Sequence, residues 1–353
     1  MRRSYYATVV DGLEEVARGE IEEALPATEF VRFEQGRVFF DSSCDLRSLL
    51  ALRSVENVHA LVTEFAEVTP DPASLSLIRE RLAAARLEGA VQACEAIVGP
   101  LPDPSFRITA SRSGTHEFRS LDVAVAAGQG IVDAYGWRVD LTGFDVEVRV
   151  DVRQDTCLVG LRLSPQTLSQ RSRVEHAAAS LKSTVAHCMI RLLGWSPGDV
   201  FLDPMCGAGT ILVERAVLGE CAVLLGADRD EGSLAKARAN LSALDAKATL
   251  LSWDARRMGL GRGTVSRLVC NLPWGRRVGS HRTNQHLYPG FVREVARVLR
   301  EDGRAALLTA DKHLLTRLVH RHPRLRLDET WPLQLGGLHP SIYTISRCPR
   351  TRS

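Results

Sequence analysis

The chain of 353 residues lacks several features that define whole classes of protein. No apolar run approaches the ~18 residues that a membrane-spanning helix requires. No apolar segment follows the two arginines near the N-terminus, so there is no sign of a signal peptide. Internal repeats and low-complexity tracts are also missing. We therefore expect a cytoplasmic protein that does not bind a membrane.

Paired cysteines are lacking as well. Of the eight cysteines, the closest two, Cys206 and Cys221, are 15 positions apart. This spacing excludes Cys-x-x-Cys redox and zinc pairs, so we predict no metal site and expect free thiols in a reducing compartment. Lysine is scarce too. Only four of the 45 basic residues are lysines, and in such an arginine-rich chain a single arginine is weak evidence for an anion site.

The net charge of +3 conceals an uneven distribution. Residues 1–165 hold 17 arginines against 26 acidic residues, whereas residues 166–353 hold 28 basic residues against 16 acidic ones. A polyanion would therefore meet the second half of the chain more readily than the first.

The pattern of apolar residues predicts a mixed α/β chain. Strands and helices mix over 1–67 and again over 68–165, where a clear hairpin closes the second α+β unit. A polar linker is expected over 166–180. From 181 to 353, apolar strands alternate with helices, which predicts a parallel sheet that binds its ligand at the carboxyl ends of the strands.

Four of these predicted strands end in polar residues. The first enters the stretch DPMCGAGT, residues 203–210, and the next three end in Asp228, Asp254 and Asn271. Glycines allow a ligand to approach the backbone closely, although such a loop can also be only a tight turn. An acid about 20 positions after a glycine loop suits ribose hydroxyls. Asp228 can also be the N-cap of a helix that begins near Glu231.

The loop is not a dinucleotide fingerprint, because it lacks the third glycine of that motif. The set of strand-end residues instead resembles class I S-adenosylmethionine-dependent methyltransferases. The resemblance implies S-adenosylmethionine as cofactor. The glycine loop would face its amino-acid part, Asp228 its ribose and Asp254 its adenine. The cofactor residues implied in this way are Ser183, Thr184, Asp203, Cys206, Gly207, Gly209, Thr210, Asp228, Asp254 and Asn271.

The stretch NLPW, residues 271–274, resembles the Asn/Asp-x-Pro-aromatic motif of enzymes that methylate an exocyclic base nitrogen. Asn271 Oδ1 and the carbonyl of Leu272 or Pro273 can accept the amine hydrogens and so orient its lone pair. Trp274 can stack on the extruded base, or it can be a buried core indole. Leu272 departs from the commonest form of the motif, which has proline there.

More of the chain resembles one branch of this superfamily. FRITASRSGTHEFRSLDVAVAAGQGIVDAYG looks like a THUMP RNA-binding domain, and YYATVVDGLEEVARGEIEEAL looks like the ferredoxin-like segment that precedes it. The implied fold is α/β, with a Rossmann-like class I methyltransferase domain after ferredoxin-like and THUMP domains. The implied family is that of THUMP-containing tRNA guanosine-N2 methyltransferases acting on the acceptor stem. We expect Arg112 and His116 to contact RNA.

Other functions stay open at this point. They are a 23S ribosomal RNA guanine-N2 methyltransferase, an adenine-N6 methyltransferase, and a non-catalytic RNA-binding protein with a degenerate methyltransferase domain. We expect a monomer with tRNA as partner, or ribosomal RNA in the first alternative. Some relatives need a small activator protein, and the sequence leaves that need open.

Two arginines follow Trp274 after a single glycine, and we predict that Arg276 and Arg277 contact the RNA backbone beside the target nucleotide. Replacing both with alanine should weaken RNA binding and leave cofactor affinity unchanged. The slope of log affinity against log salt should fall by ~0.7–0.9 per lost phosphate contact. Filter binding at several salt concentrations measures this slope. An unaltered slope with intact affinity would show that the two side chains only face water.

Overall fold

The structure, a computed structural model, describes residues 2–170, 181–274 and 281–348. The chain divides into two compact units. The first comprises Met1–Thr8, Ile21–Leu52 and Asn57–Leu168, and the second comprises Val9–Glu20, Arg53–Glu56 and Ser169–Ser353. The domain boundaries proposed from the sequence stay predictions, and positions 171–180 of the expected linker lie outside the described residues.

Residues 2–170 contain seven strands and five α-helices in the described part. They are β1 (Arg3–Thr8), α1 (Glu14–Ala24), β2 (Glu29–Glu34), β3 (Arg37–Ser42), α2 (Leu46–Ala51), β4 (Asn57–Phe65), α3 (Ser74–Ala83), α4 (Glu88–Val98), β5 (Phe106–Ser113), α5 (Ser120–Tyr135), β6 (Val146–Arg153) and β7 (Thr156–Arg162). The strands form a single sheet in the order β2-β3-β1-β4-β7-β6-β5.

One strand pair joins the two α+β units that the pattern predicts. Strand β4 pairs antiparallel with β7, with Ala60 opposite Leu161, so the strands of both predicted units belong to one sheet. The predicted hairpin is confirmed as β6 and β7, which pair from Val148–Leu161 to Arg153–Thr156. The pairing of β4 with β7 joins strands about a hundred residues apart, and no local pattern in either strand indicates it.

The remaining described residues form the second sheet and its helices. These are α6 (Ser183–Leu193), β8 (Val200–Asp203), α7 (Thr210–Ala216), β9 (Val223–Asp228), α8 (Glu231–Ser242), β10 (Thr249–Ser252), β11 (Val265–Asn271), α9 (His281–Val298), β12 (Leu299–Thr309), α10 (Lys312–His320), β13 (Leu325–Pro332) and β14 (Ser341–Arg347). The sheet order is β10-β9-β8-β11-β12-β14-β13. Strands β8 to β12 run parallel, as predicted. The antiparallel strands β13 and β14 were not predicted.

Apolar side chains cover both faces of this second sheet. One core cluster includes Val185, Met189 and Ile190 of α6, and the other includes Phe291 and Val295 of α9. The first cluster also takes in three residues from near the N-terminus, namely Val10, Leu13 and Val16. In the described part of the chain, no helix combines the length and apolar character needed to cross a membrane. The eight cysteines are free thiols, as their spacing predicts.

Close packing of α5 on α3 depends on a glycine. A Cβ at Gly130 would lie 2.4 Å from the Arg79 carbonyl oxygen and 3.0 Å from Leu82 Cβ, whereas one at Gly128 would meet only Ile108 Cγ1, at 3.6 Å. We predict that Gly130→Ala destabilises the protein by ~1–3 kcal/mol because backbone must move. Gly128→Ala, the control in the same helix, should be neutral or stabilise by up to ~1 kcal/mol. Urea unfolding measures both, and equal effects would contradict the packing argument.

Candidate active site

The short strand β8 lies between two strands that extend past it. Leu202 of β8 is opposite Leu225 of β9 and Leu268 of β11. Asp203 is one residue beyond this row, whereas Asp228 and Asn271 are three residues beyond it. At ~3.3 Å per residue, the neighbouring strands reach about 7 Å past Asp203. We call the resulting recess, between Asp228 and Asn271 with Asp203 at its base, the strand-end cleft.

The glycine loop after β8 adopts a conformation that suits glycine. Gly207 and Gly209 have φ angles of 52° and 80°, in the left-handed region. A Cβ at Gly209 would lie 3.1 Å from Ala237 Cβ of helix α8. The buried Asn240 of the same helix donates from Nδ2 to the Ala208 carbonyl at 2.9 Å. Helix α8 therefore holds this loop against the strand ends.

Asp228 supports the glycine loop and does not cap the next helix. Its Oδ2 accepts from the Gly207 N–H at 2.9 Å, and its Oδ1 accepts from the Asp230 N–H at 3.0 Å. The N-cap of α8 is Asp230, whose carboxylate accepts from the Ser233 N–H at 2.7 Å. The N-cap of helix α8, one of the two roles expected for Asp228, is therefore provided by Asp230. The remaining lone pairs of Asp228 are available to hydroxyl groups.

Asp203 and Cys206 are buried at the base of the cleft, with exposed fractions of 1% and 6%. Burial raises the pKa of the Asp203 carboxyl well above its usual range, and the nearby Asp228 adds to this rise. Burial likewise raises the pKa of the Cys206 thiol, and the Cys206 N–H donates to the Ala227 carbonyl at 2.8 Å. A thiol held in its protonated form is a poor nucleophile, so Cys206 serves here through its backbone and its packing.

Asp254 follows β10, next to the end of β9. The N–H of Trp253 donates to the Asp228 carbonyl at 3.3 Å, which keeps the two strand ends adjacent. The carboxylate of Asp254 accepts from Arg256, at 2.9 Å from its backbone N–H and 3.0 Å from Nε. This hydrogen-bonded arginine lowers the pKa of Asp254. The carboxylate is thus ionised, and some of its lone pairs are used by hydrogen bonds from Arg256.

Two buried hydroxyls open helix α6. Ser183 and Thr184 are 1% and 0% exposed, and in the described part of the chain neither hydroxyl has a hydrogen-bond partner. Thr210, at the start of α7, is also buried. Unpartnered buried hydroxyls are costly unless a ligand satisfies them. These two therefore fit the expected contact with the polar amino-acid part of a cofactor.

The NLPW stretch begins at the last residue of β11 and is held by hydrogen bonds. The Leu272 N–H donates to the Leu308 carbonyl at 3.0 Å, which extends the pairing of β11 with β12. Proline has no N–H, so the departure from the commonest motif adds a bond that proline cannot make. Trp274 Nε1 donates to Asn271 Oδ1 at 3.1 Å. Trp274 is only partly buried, which leaves part of its ring open.

Two residues of α9 that the sequence analysis missed contact the same stretch. Asn284 Nδ2 and Tyr288 Oη donate to the Pro273 carbonyl at 3.0 Å and 2.8 Å. Both side chains are fully buried. The sequence holds one signal that could have indicated them. Asn284 and Tyr288 are four residues apart, about one helical turn, and they share a helix face with the buried Phe291 and Val292.

The predicted RNA contacts lie in the first unit or outside the described residues. Arg112 Nη1 donates to the Gly114 carbonyl at 2.8 Å, and His116 Nε2 donates to the Gln154 carbonyl at 2.8 Å. Both therefore lie where β5 ends, beside the turn of the β6–β7 hairpin. Arg276 and Arg277 lie outside the described residues. All the predicted site residues stay predictions in their roles.

Comparison with known proteins identifies both parts of the chain. Residues 170–340 match the RMKL-like methyltransferase domain, and residues 87–162 match the THUMP domain. A tRNA (guanine(6)-N2)-methyltransferase of Thermus thermophilus is 35% identical over 286 residues, which cover 77% of this chain and 83% of that protein. The human tRNA (guanine(6)-N(2))-methyltransferase THUMP3 is 32% identical, over 69% of this chain and 52% of its own length. The chain thus spans about half the length of its mammalian relatives.

Solved structures agree with this result. The crystal structure of TrmN from Thermus thermophilus superposes with a TM-score of 0.81 at 29% identity, covering 98% of this chain and 100% of that one. A possible methylase from Clostridium difficile shares the fold, with a TM-score of 0.80 at 19% identity over 100% of both chains.

The second sheet, its strand-end cleft and the matched domains define a class I methyltransferase domain that follows a THUMP domain. Within that class, the chain belongs to the family of THUMP-containing tRNA guanine-N2 methyltransferases. The predicted fold class and the prediction of S-adenosylmethionine as cofactor are thereby confirmed.

Asp228 allows a direct test of the cofactor site. We predict that Asp228→Ala weakens binding of S-adenosylhomocysteine at least ~100-fold, because two charged hydrogen bonds of ~1.5–3 kcal/mol each are lost. Asp230→Ala, the control, should cost ~1 kcal/mol of stability through the lost helix cap and leave the affinity unchanged. Isothermal titration measures the affinity, and an unchanged dissociation constant for Asp228→Ala would remove this residue from the cofactor site.

Proposed function

We propose that the chain transfers a methyl group from S-adenosylmethionine to the exocyclic N2 of a guanosine in tRNA. The observation that carries this proposal is the position of Asn271–Trp274 at the end of β11, directly beside β8 with its glycine loop. An amide, a carbonyl and an indole thus border the cleft in which Asp228 and the buried hydroxyls of Ser183 and Thr184 would hold the cofactor. Relatives named for this activity support it.

The bound cofactor supplies an electrophilic methyl group, so the task of the protein is to orient the acceptor. The amino group of guanine is a poor nucleophile because its lone pair is drawn into the ring. Asn271 Oδ1 and one backbone carbonyl of the motif would accept its two hydrogens and direct the lone pair at the methyl group. No strong base is required, since the proton leaves after the new bond has formed.

Trp274 would act in two ways. Its ring can stack on the extruded base, which is worth ~1–3 kcal/mol. Its Nε1–H donates to one lone pair of Asn271 Oδ1 and so fixes the orientation of the Asn271 amide, with the oxygen towards the indole. The second lone pair of the same oxygen stays available for the amine. Phenylalanine at this position could stack on a base but could not donate a hydrogen bond.

The RNA is proposed to be tRNA, with the acceptor stem as the region that carries the target guanosine. Relatives named tRNA (guanine(6)-N2)-methyltransferase support tRNA as the substrate, while the acceptor stem rests on the resemblance of the motifs. The basic second half of the chain suits the phosphate backbone. Arg112 and His116 would contact RNA from the THUMP domain, through shape more than bulk charge, because the first half is net acidic. The monomeric state and the cytoplasmic location stay predictions, and no prediction is made about an activator protein.

The proposed reaction and its residues are tested together. With labelled S-adenosylmethionine and in vitro transcribed tRNA, nucleoside mass spectrometry should detect N2-methylguanosine from the wild type. Asn271→Ala should lower kcat at least ~100-fold and leave cofactor affinity nearly intact. Trp274→Phe should lower kcat about tenfold with tRNA affinity within a few-fold, whereas Trp274→Ala should weaken both.

Trp331→Phe is the matched control, because this indole donates to Glu329 on the edge strand β13, away from the cleft. Its kcat should stay within twofold of wild type. A product methylated elsewhere than N2 of guanosine would overturn the proposed function, and a Trp274→Phe enzyme as fast as wild type would remove the indole N–H from it.

A further inference from the structure

The donors to the Pro273 carbonyl belong to a hydrogen-bonded network whose directions can be worked out. A carbonyl only accepts, so the single hydroxyl proton of Tyr288 is used in its bond to Pro273. In the 2.7 Å contact between Tyr288 Oη and Thr309 Oγ1, the donor must then be Thr309. Thr309 Oγ1 in turn accepts from the Asp311 N–H at 2.9 Å. Hydrogen-bond donation therefore runs from the Asp311 N–H to Thr309, from Thr309 to Tyr288 and from Tyr288 to the Pro273 carbonyl. Each of these bonds polarises the next.

Asn284 completes the network from one helical turn away. One hydrogen of its amide goes to the Pro273 carbonyl at 3.0 Å, and the amide also donates to Asp311 Oδ2 at 3.3 Å. Asn284, Tyr288 and Thr309 are each 0% exposed. Water therefore does not compete for these bonds, and the amide is held in one orientation. We call these residues, Asn284, Tyr288, Thr309 and Asp311, the Pro273 clamp.

The clamp decides which carbonyl of the motif can meet a substrate amine. A carbonyl oxygen has two lone pairs, and two buried donors already fill those of Pro273. The preceding peptide is held from its other side, since the Leu272 N–H is bonded to Leu308. The Leu272 carbonyl lies between these two fixed points, and in the described part of the chain neither donor of the clamp bonds to it.

We propose that Asn284 and Tyr288 are positioning residues that withdraw the Pro273 carbonyl from the reaction and fix the Leu272 carbonyl as the partner of Asn271 Oδ1. This inference rests on the proposed guanine-N2 methylation and adds to it the acceptor atom and the residues that select it. Neither side chain touches the substrate. They act through the peptide that follows the acceptor carbonyl, so their loss should affect orientation more than affinity.

The test uses the full chain, in vitro transcribed tRNA and S-adenosylmethionine, with single-turnover rates and product analysis by mass spectrometry. Tyr288→Phe removes one donor and little volume. Asn284→Leu removes the other, and the double variant removes both. We expect kcat to fall about tenfold for Tyr288→Phe and about 100-fold for the double variant, with KM for tRNA and S-adenosylhomocysteine affinity within twofold.

Tyr343→Phe is the matched control, because Tyr343 is a buried tyrosine of the same core cluster, and among the described residues no hydrogen bond joins it to the motif. Its kcat should stay within twofold of wild type. If Asn284→Leu does not fold, Tyr288→Phe alone carries the test, since S-adenosylhomocysteine binding reports whether its cleft is intact.

The outcomes separate the inference from the proposed function. A wild type that forms no N2-methylguanosine would overturn the function itself. An active wild type whose clamp variants are equally fast, or faster, would overturn the inference alone, because the freed Pro273 carbonyl would then serve as acceptor. A parallel loss of rate and of cofactor binding in Tyr288→Phe would also overturn it, since that result indicates only a structural role.

Discussion

The length of one strand determines most of the site. Strand β8 ends after four residues, while its neighbours β9 and β11 continue for two residues beyond Asp203. The recess between them exists because the chain leaves the sheet at the glycine loop. It lies at β8, where the strand order reverses, and open parallel sheets bind ligands at such a point. Asp203, Asp228 and Asn271 are the last residues of their strands and are placed by strand register, so the sheet and not a loop sets their separations.

The environment of these groups suits binding more than acid–base chemistry. Burial raises the pKa of the Asp203 carboxyl well above its usual range, because the charged form is disfavoured there. Asp228 is bonded to two backbone N–H groups, and Asp254 is ionised beside Arg256. Groups with such fixed partners hold and orient. This environment agrees with a reaction in which the cofactor supplies the electrophilic methyl group and the protein orients the acceptor amine.

Sequence patterns predicted the strand ends because each ends an apolar run with a residue that is costly to bury. These patterns alone predict that Asp203, Asp228 and Asn271 lie on one edge of the sheet. The same patterns could not separate the capping role of Asp230 from Asp228, since both precede the same helix within three residues. They also could not predict Asn284 and Tyr288. Their contact with Pro273 depends on the docking of α9 against β11 and β12, which is a tertiary event without a local signature.

The second unit includes two short segments from near the N-terminus, and this has a consequence for how such a gene can be cut and recombined. Val10, Leu13 and Val16 complete a core cluster of the methyltransferase, and Arg53 is bonded to the buried carboxylate of Glu214 at 2.9 and 3.1 Å. A fragment that starts after the linker would expose apolar surface and leave Glu214 without this partner, which is strongly destabilising for a buried ion pair. The catalytic part is therefore not a transferable cassette. A recombination that joins a new RNA-binding domain to this unit must retain both N-terminal segments, so the two units are expected to be inherited together.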